Sequence, residues 1–290
     1  MRLVSFVERG EPSVVRTGAV VDDEVVDLTD PAVALPGDMT DFLVAGPGAI
    51  ERAGAAIRTR ARRLALDQVQ LRPPVPHPAK VLGIGLNYAA HVAETGATRP
   101  EHQVWFNKQR TCVIGPGDPI EIPRVSHQVD YEGELALVIG RRCRHVPAAE
   151  AASVVAGFTV LNDVTVRDWQ WRTPTWTLGK SFDTHGPTGP WIVTGDEIGD
   201  PQVLRLRTWV NDELRQDAST DDMIFSCWEQ VEYLSTVFTL EAGDIISTGT
   251  PAGVGMSFDP PRWLVAGDVV RIDVEGIGTL ENRVVAESSP

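Results

Sequence analysis

Two glutamates separated by one residue, Glu132 and Glu134, have the side-chain type and spacing that metal chemistry needs. In an extended strand, side chains two positions apart point to the same face, so these carboxylates can converge on one point, and Gly133 allows a close approach to the backbone. Asp163, at the end of a later apolar run, offers a third carboxylate. Oxygen ligands without nearby Cys or His suit Mg²⁺, Mn²⁺ or Ca²⁺ rather than zinc or copper. Taken alone, such a glutamate pair is more often a solvated strand face.

A histidine and a glutamate three residues apart, His91 and Glu94, could activate a water molecule. They follow a strand-like segment that ends at Gly85, and if their own segment is helical the two side chains share one face. The carboxylate would then hold the imidazole in one tautomer and raise its basicity. Without further context, a surface pair is the more frequent outcome at this spacing.

Arg167 and Gln170 follow Asp163 at spacings of four and three residues, so one helical turn or a tight loop would direct all three at the same cavity. A guanidinium is suited to bidentate binding of a substrate carboxylate, and an amide can donate to a second oxygen. The alternative partner for Arg167 is the neighbouring Asp168, in an ordinary surface ion pair.

Lys180 lies in a stretch rich in Gly and Pro, residues 179–190. Beside a metal, its ammonium could stabilise a developing enolate oxygen, although lysines in loops are mostly solvated. Ser181 and His185 in the same stretch are residue types used in nucleophilic catalysis. The chain contains no Gly-x-Ser-x-Gly segment, which gives a serine hydrolase little support.

Two glycine-rich segments lack the full pattern of nucleotide-binding loops. Residues 248–255 have no Gly-Lys-Ser/Thr ending, and Gly83-x-Gly85 has no third glycine. Both are better explained by a tight approach of the backbone to a small ligand, with the hydroxyl of Thr250 as a donor. Three tryptophans in one stretch form either a hydrophobic wall over a cleft or ordinary core or interface packing. They are Trp169, Trp171 and Trp176.

The N-terminal part of the sequence predicts a small α+β domain. Short alternating runs predict strands, and the stretch from Met39 to about Leu66 predicts a helix. Residues 71–79 contain four prolines and cannot continue a helix or a central strand, which is typical of a linker. We place the boundary near residue 76, which gives domains of residues 1–75 and 76–290. The predicted strands are residues 3–7, 18–22 and 24–28.

The rest of the sequence predicts a mainly β catalytic domain built as a roll or barrel, because most segments have the pattern of strands and no regular strand–helix alternation occurs. Two stretches predict helices, residues 148–155 and residues 224–238. The fold class expected for the whole chain is mixed α/β and mainly β. The predicted strands are residues 81–85, 120–122, 134–139, 158–161, 191–194, 204–210, 244–247 and 269–274.

The formal net charge of −14 over 290 residues argues against a nucleic-acid partner. Arginines between residues 52 and 63 are the main local exception, and their Ala-rich context predicts a solvated helix face. An anionic substrate would need its own local cluster of positive groups, because distant charges are screened within about 10 Å. The arginines are Arg52, Arg58, Arg60, Arg62 and Arg63.

Cysteine usage and hydropathy predict a soluble, cytoplasmic protein. Three widely spaced cysteines form no Cys-x-x-Cys pair, which favours neither a disulfide framework nor a structural zinc site. The sequence shows no signal peptide and no apolar run long enough to cross a bilayer, so no membrane association is expected. The cysteines are Cys112, Cys143 and Cys227.

Taken together, these segments resemble the fumarylacetoacetate hydrolase (FAH) family, in its acylpyruvase and 5-carboxymethyl-2-hydroxymuconate isomerase branch. The matching motifs follow the family's order from about residue 80 to residue 283. One departure is in residues 105–111, where many members have Phe-x-Lys-Pro and this chain has an Asn-Lys-Gln version. The matching motifs are Gly85-Leu-Asn-Tyr-x-x-His91-x-x-Glu94, Gly115-Pro-Gly-Asp-Pro119, Asp130-Tyr-Glu-x-Glu134, Asn162-Asp163, Arg167-Asp-Trp-Gln170, Gly179-Lys-Ser-Phe-Asp183, Asp222-Met-Ile-Phe225, Thr248-Gly-Thr-Pro-x-Gly-Val-Gly255 and Glu275-Gly-Ile-Gly-Thr279.

The resemblance implies an FAH-type β-roll catalytic domain, a small N-terminal domain and a homodimer. It implies Mg²⁺ or Mn²⁺ as the metal, with Ca²⁺ as an alternative occupant in crystals, and a small anionic 2-oxo or 2,4-dioxo acid as substrate. A role in aromatic catabolism is the expected setting. The implied roles are metal binding for Glu132, Glu134 and Asp163, catalysis for His91, Glu94 and Lys180, and substrate binding for Arg167, Gln170 and Thr250.

The predicted reaction is hydrolysis of a C–C bond in a 2,4-dioxo acid. Chelation of the metal by the acid would fix its orientation, and His91, steered by Glu94, would deprotonate the water that attacks the distant carbonyl. The metal and Lys180 would stabilise the resulting pyruvate enolate. Decarboxylation of oxaloacetate or isomerisation of a hydroxymuconate reaches the same enolate, and these alternatives need the His91–Glu94 pair less. A small-molecule binder with an inactive site would bind metal without turnover.

Overall fold

The chain folds into a mixed, mainly β structure, as the sequence predicts. The computed structural model describes residues 1–58 and 61–288. The strands are β1 (Arg2–Glu8), β2 (Glu11–Val21), β3 (Glu24–Asp27), β4 (Arg63–Ala65), β5 (Val69–Leu71), β6 (Val81–Gly85), β7 (Val104–Lys108), β8 (Val113–Ile114), β9 (Ile120–Ile122), β10 (Val129–Asp130), β11 (Gly133–Ile139), β12 (Val155–Asn162), β13 (Thr165–Val166), β14 (Gly186–Thr194), β15 (Arg205–Val210), β16 (Glu213–Ser219), β17 (Ile245–Ser247), β18 (Val269–Val274) and β19 (Gly278–Ala286).

The helices are short and lie between the strands. The α-helices are α1 (Met39–Val44), α2 (Pro47–Ile57), α3 (Ala89–Glu94), α4 (Arg167–Gln170), α5 (Gly195–Ile198) and α6 (Cys227–Val237). Segments of 3₁₀ helix are found at Leu66–Gln68, Arg110–Cys112, Ala148–Val154, Pro201–Val203, Thr220–Asp222 and Gly255–Ser257.

The helix predicted from residue 39 to residue 66 is wrong, because this stretch forms two short helices followed by a strand. Asp38 caps α1 by accepting hydrogen bonds from two backbone N–H groups. Gly46, with φ of +74°, and Pro47 then end one helix and begin the next. β4 pairs with β3, so the last part of the stretch is extended.

Because that helix is interrupted, the arginines predicted to share one helix face lie on different elements. Arg52 is on α2, whereas Arg62 pairs with a glutamate of β1 and Arg63 pairs with one of β3. Arg60 lies outside the described residues. The described arginines therefore do not share one helix face.

The two other predicted helices have different outcomes. Residues 224–238 contain α6, which begins with a capping box formed by Ser226 and Glu229. Residues 148–154 form a 3₁₀ helix rather than an α-helix. The next strand, β12, begins directly after it at Val155.

The larger sheet places the candidate metal ligands near its centre. Its strand order is β4-β3-β2-β1-β14-β12-β11-β17-β6-β7. β11 lies between β12 and β17 and is buried along its whole length, which explains the continuous apolar run after Glu134. The antiparallel register pairs Gly133 with Asn162, so the residues just beyond them, Glu132 and Asp163, are neighbours.

A second sheet, in the order β16-β15-β18-β19-β9, covers one face of β11 and β12. Alternate side chains of β11 serve two apolar clusters, with Leu135 and Leu137 packed toward the second sheet and Ala136 and Val138 packed toward α1 and α2. Both faces of the central strands are therefore fixed by packing, which holds the ends of those strands in place.

The N-terminal strands continue the larger sheet, because β1 pairs with both β14 and β5. The boundary predicted near residue 76 falls between β5 and β6. The division into residues 1–75 and residues 76–290 stays a prediction.

Candidate active site

Three carboxylates meet at the end of β11 and β12. One oxygen from each of Glu132, Glu134 and Asp163 lies within 4.8 Å of the others. Their side chains are buried, with 4%, 2% and 0% of the residue surface exposed. The structure thus brings together the three residues that the sequence predicts as metal ligands.

Backbone and hydroxyl groups fix the orientation of Glu134. Its Oε2 accepts from the Ser247 hydroxyl at 2.5 Å and from the Gly249 backbone N–H at 2.8 Å. Both donors lie at the end of β17, the strand that pairs with β11. Glu134 therefore has neutral donors and no ion pair among the described residues.

The local electrostatics are unfavourable for three ionised carboxylates. Burial raises the pKa of Glu134 well above its usual range, and the charges of Asp163 and Glu132 raise it further. Burial also opposes ionisation of Glu132, but Lys180 and Arg167 outweigh it and lower the pKa of Glu132 to about 2. A buried oxygen set with excess negative charge is the environment that a hard divalent cation stabilises, so these residues fit Mg²⁺ or Mn²⁺.

Lys180 lies between two of the carboxylates rather than in solvent. Its Nζ is 2.5 Å from Glu132 Oε2 and 2.6 Å from Asp163 Oδ2, and the residue is 3% exposed. Burial lowers the pKa of Lys180, but Asp163 and Glu132 more than compensate and raise it. Its ammonium charge is therefore retained inside the site.

A second buried lysine, Lys108, was not predicted. Its Nζ is 2.7 Å from Asp163 Oδ1 and also donates to the backbone carbonyl of Lys180. The signal in the sequence is alternation along β7, where Phe106 and Lys108 are buried and Asn107 between them is exposed. A lysine at the inward position of a strand indicates that it pairs with a buried residue of opposite charge.

Arg167 is held by two carboxylates, neither of which is Asp168. Its Nε and Nη2 lie 2.9 and 2.8 Å from Asp130 Oδ2, and Nη2 lies 2.7 Å from Glu132 Oε1. Its Nη1 donates to Gln170 Oε1 at 3.0 Å. The alternative surface pair with Asp168 is not formed, since Asp168 accepts from Ser126 and is 3.6 Å from Arg172.

Asp130 is a second residue that the sequence did not identify, although it lies in the same motif as the glutamates. It is fully buried, and its carboxylate accepts from the backbone N–H groups of Gly255 and Met256 at 2.7 and 3.0 Å. Asp130 therefore links the glycine-rich loop to Arg167. A single acid before a Glu-x-Glu pair carries no distinctive signal in one sequence.

The helix α3 carries His91 and Glu94 on one face, as predicted. His91 Nδ1 is 3.3 Å from Glu94 Oε2, and Glu94 Oε1 accepts from the Gly253 backbone N–H at 2.8 Å. Burial opposes ionisation of Glu94, but the hydrogen bonds from His91 and Gly253 lower its pKa overall. An ionised Glu94 accepts a hydrogen bond from the Nδ1–H of His91, and in that tautomer Nε2 carries the free lone pair.

Thr250 and the Ser181–His185 pair have partners within the protein. The Thr250 hydroxyl donates to Gly133 O at 3.0 Å and accepts from Gln216 at 2.8 Å. Ser181 accepts from the backbone of residue 109, and His185 Nε2 contacts the backbone oxygen of residue 121 at 2.8 Å. Ser181 and His185 are thus used structurally, and the role of Thr250 toward a substrate stays a prediction.

A cavity of about 270 Å³ joins most of the predicted residues. Half of its lining residues are polar, including the two glutamates, their cationic partners and residues of or next to α3, and the other half are apolar. The polar residues are His91, Thr95, Glu132, Glu134, Arg167, Gln170, Lys180 and Thr250. The apolar residues are Ile84, Gly85, Leu86, Ala97, Phe106, Trp171, Trp176 and Met256.

Residues 80–285 match the family model described as "Fumarylacetoacetate (FAA) hydrolase C-terminal", so the chain belongs to this family. The predicted resemblance is confirmed. Among curated proteins, the mitochondrial oxaloacetate tautomerase fahd2 of Xenopus laevis is 39% identical over 98% of this chain and 90% of its own length.

Two solved structures show the same fold over nearly the whole chain. Maleylpyruvate hydrolase from Sphingobium sp. SYK-6, in complex with manganese(II) ion and pyruvate, is 34% identical with a TM-score of 0.83, covering 99% of this chain and 100% of that one. The 5-carboxymethyl-2-hydroxymuconate delta-isomerase of Mycobacterium smegmatis is 38% identical with a TM-score of 0.80 and the same coverage. Members of the family are therefore enzymes of several reaction types.

Among the described residues, no helix is long and apolar enough to cross a membrane.

Proposed function

We propose that the protein is a metal-dependent hydrolase that cleaves a C–C bond in 2,4-dioxo acids through a pyruvate enolate. The observation that carries this proposal is that His91, paired with Glu94, lines the same 270 Å³ cavity as Glu132, Glu134 and Lys180. A base for water and a group for the enolate are both needed in hydrolysis, and both line this cavity.

The charge balance of the site supports a metal and an anionic substrate. With all groups ionised, four buried carboxylates and three buried cations leave one net negative charge, which a divalent ion would convert to one net positive charge. Glu132, Glu134 and Asp163 would hold Mg²⁺ or Mn²⁺, and the bound ion would supply Lewis-acid polarisation of the substrate's carbonyl oxygen. The charged groups are Asp130, Glu132, Glu134, Asp163, Lys108, Arg167 and Lys180.

The protein's own groups account for the proton transfers. His91 Nε2 accepts a proton from water, and Glu94 holds the imidazole in the required tautomer and stabilises its charged form. Addition of that water to the distant carbonyl gives a tetrahedral adduct. Collapse of the adduct breaks the C–C bond and releases a carboxylic acid and a pyruvate enolate, which then takes up a proton at carbon. Lys180 donates to the enolate oxygen, while Arg167 and Gln170 position the carboxylate end of the substrate.

Oxaloacetate tautomerase activity is a second candidate, because the Xenopus laevis relative that carries this name aligns with 98% of the chain. In that reaction a proton moves between carbon and oxygen of a 2-oxo acid without attack by water. Decarboxylation or isomerisation through the same enolate belongs to the same group of alternatives. All of them require less of Glu94 than hydrolysis does.

Turnover of acetylpyruvate, fumarylpyruvate and oxaloacetate, with Mg²⁺ or with EDTA, separates these functions. Metal-dependent cleavage of a dioxo acid that falls by about 100-fold in Glu94→Gln supports the hydrolase. Glu101→Gln is the matched control, since Glu101 is an exposed residue of the loop after α3. Tautomerisation or decarboxylation that survives Glu94→Gln would replace hydrolysis by the second candidate, and metal binding without turnover would indicate a binding protein.

The homodimer, the cytoplasmic location and the role in aromatic catabolism stay predictions. Light scattering of the purified protein tests the first of them directly.

A further inference from the structure

Resting on the proposed function, we infer that the substrate is a compact 2-oxo acid whose far end is uncharged and apolar, rather than a dicarboxylate. Half of the residues that line the 270 Å³ cavity are apolar, and one of them, Phe106, lies next to the buried ammonium of Lys180.

An aromatic wall leads from the buried ammonium to the surface. The Lys180 Nζ lies 4.8 Å from the centroid of the Phe106 ring, the Trp176 ring lies 6.0 Å from Phe106, and the Trp171 ring lies 5.9 Å from Trp176. Phe106 is 5% exposed and Trp171 is 59% exposed. A substrate anchored near Lys180 therefore extends along three aromatic rings before it meets solvent.

Two glycines on β6 make room for this wall. A Cβ atom on Gly83 would lie 2.4 Å from the Phe106 ring, and one on Gly85 would lie 2.2 Å from the Trp176 ring. Both distances are far shorter than a van der Waals contact, so the rings occupy the space that side chains would take. The segment Gly83-x-Gly85, which lacks the full pattern of a nucleotide-binding motif, thus leaves space for the Phe106 and Trp176 rings.

The wall offers no partner for a second carboxylate. Among the described residues that line the cavity, the cations are Arg167 and Lys180, and the proposed function uses both at the 2-oxo acid end of the substrate. Arg172, next to Trp171, stacks on Trp169 at 3.8 Å and pairs with Asp168. A carboxylate placed along the wall would lose its hydration without gaining an ion pair, whereas an alkyl or aryl group would gain apolar contact.

The test compares two unreactive acids that differ in one group. Isothermal titration of the Mn²⁺-loaded protein is made with 5-methyl-2-oxohexanoate and with 2-oxoglutarate, where an isopropyl group stands in place of a carboxylate. We expect the branched acid to bind at least about tenfold more tightly. Equal or tighter binding of 2-oxoglutarate overturns the inference but does not contradict the proposed hydrolase function. Failure of both acids to bind overturns it together with the proposed function.

Variants at Met256, an apolar residue of the cavity lining outside the three rings, test whether the lack of a cation there sets the preference. Met256→Lys should shift the ratio of affinities by about tenfold toward 2-oxoglutarate, whereas Met256→Gln should leave the preference for the branched acid in place. Both variants keep the backbone N–H that donates to Asp130. The same ratio in the Lys and Gln variants contradicts the inference.

Arg99→Gln tests a cation outside the cavity lining, because Arg99 is exposed and follows the cavity-lining Ala97 by two residues. We expect no change in 2-oxoglutarate affinity. A loss of more than about fivefold would show that Arg99 binds the far carboxylate, and the inference would then be wrong.

Discussion

Individual buried charged residues determine which carboxylate gains most from a bound cation. Asp163 is contacted by the ammonium groups of Lys108 and Lys180 at 2.7 and 2.6 Å, whereas Glu134 is held by a hydroxyl and a backbone N–H. A buried carboxylate without a cationic partner is costly, and burial together with its charged neighbours raises the pKa of Glu134. Glu134 is therefore the residue that gains most from a bound cation.

Removing Lys108 should destabilise the metal-free protein more than the metal-bound protein. Lys108→Met leaves Asp163 with one cation instead of two, and we expect a loss of about 3 kcal/mol in the free energy of unfolding in EDTA. Saturating Mn²⁺ should restore part of this loss, because the ion would compensate the same carboxylate. Urea unfolding with EDTA and with Mn²⁺ measures both values.

Lys80→Met is the control for this prediction, since Lys80 pairs with Asp244 at 2.7 Å away from the carboxylate triad. Its loss of stability should not depend on Mn²⁺. If Mn²⁺ restores Lys80→Met as much as Lys108→Met, the charge coupling at Asp163 is refuted.

His185 should make the protein less stable at mildly acidic pH. Burial lowers the pKa of His185 to about 4, from an ordinary value near 6.5. Between these values the unfolded chain binds a proton that the folded protein does not, so the stability is fully present above pH 6.5 and is lost as the pH falls toward 4. The loss amounts to about 3 kcal/mol.

Urea unfolding at pH 4.5, 5.5 and 7 tests this pH dependence. His185→Gln should flatten it, whereas His77→Gln, at an exposed position, should not. An unchanged slope in His185→Gln would assign the acid sensitivity to other groups.

At the scale of elements, the short helix α3 is held in place from outside itself. Its Ala90 N–H donates to Asp222 Oδ2 at 2.9 Å, and its last residue, Glu94, accepts from Gly253. Tyr88 at the N-cap forms no side-chain cap of its own. A six-residue helix is marginal alone, so the loops around Asp222 and Gly253 determine where His91 points.

Loss of the cap from Asp222 should therefore affect turnover more than metal binding. We expect Asp222→Ala to lower kcat by about tenfold to a hundredfold through misplacement of His91, with Mn²⁺ affinity within about twofold of the parent protein. Asp222→Asn, which keeps an acceptor, should restore much of the rate. Asp221→Ala, at the adjacent exposed position, is the control.

Steady-state kinetics and Mn²⁺ titration separate the two effects. A parallel loss of metal affinity and kcat in Asp222→Ala would mean that this aspartate supports the whole site rather than α3.

Individual strands and helices were predictable where a short run of residues carries the pattern. Strand-like segments between Gly/Pro turns predicted β6 and β9 with their observed ends, and the spacing of His91 and Glu94 predicted that they share one face if their segment is helical. Contacts between distant segments were not predictable in the same way. Ser247 reaches Glu134 only because β17 pairs with β11, and nothing in one sequence identifies which strand neighbours which. The same limit hid Lys108 and Asp130, whose partners lie 55 and 37 residues away.

At the scale of the whole molecule, the N-terminal segment covers one face of the sheet that carries the site. Met39 and Phe42 of α1 pack in one cluster with Ala136 and Val138 of β11. β1 also pairs with β14, next to the strand that carries Asp163 at its end. Removal of this segment would expose both an apolar face and a strand edge.

A chain that starts at residue 76 should consequently aggregate or remain unfolded, whereas the full chain should unfold in one cooperative transition. Circular dichroism and light scattering of the two proteins check this expectation. A shortened protein that is monodisperse, folded and able to bind Mn²⁺ would show that residues 76–290 are an independent domain.

Release of pyruvate from acetylpyruvate as a function of Mn²⁺, for the parent protein and for Glu134→Gln, tests whether the three carboxylates hold a catalytic metal. We expect the parent rate to saturate with Mn²⁺ and to vanish in EDTA, and the variant to need at least about a hundredfold more Mn²⁺ for any rate that it retains. Pyruvate release that persists in EDTA, or that is equal in the two proteins, would contradict a metal-dependent reaction at the three carboxylates.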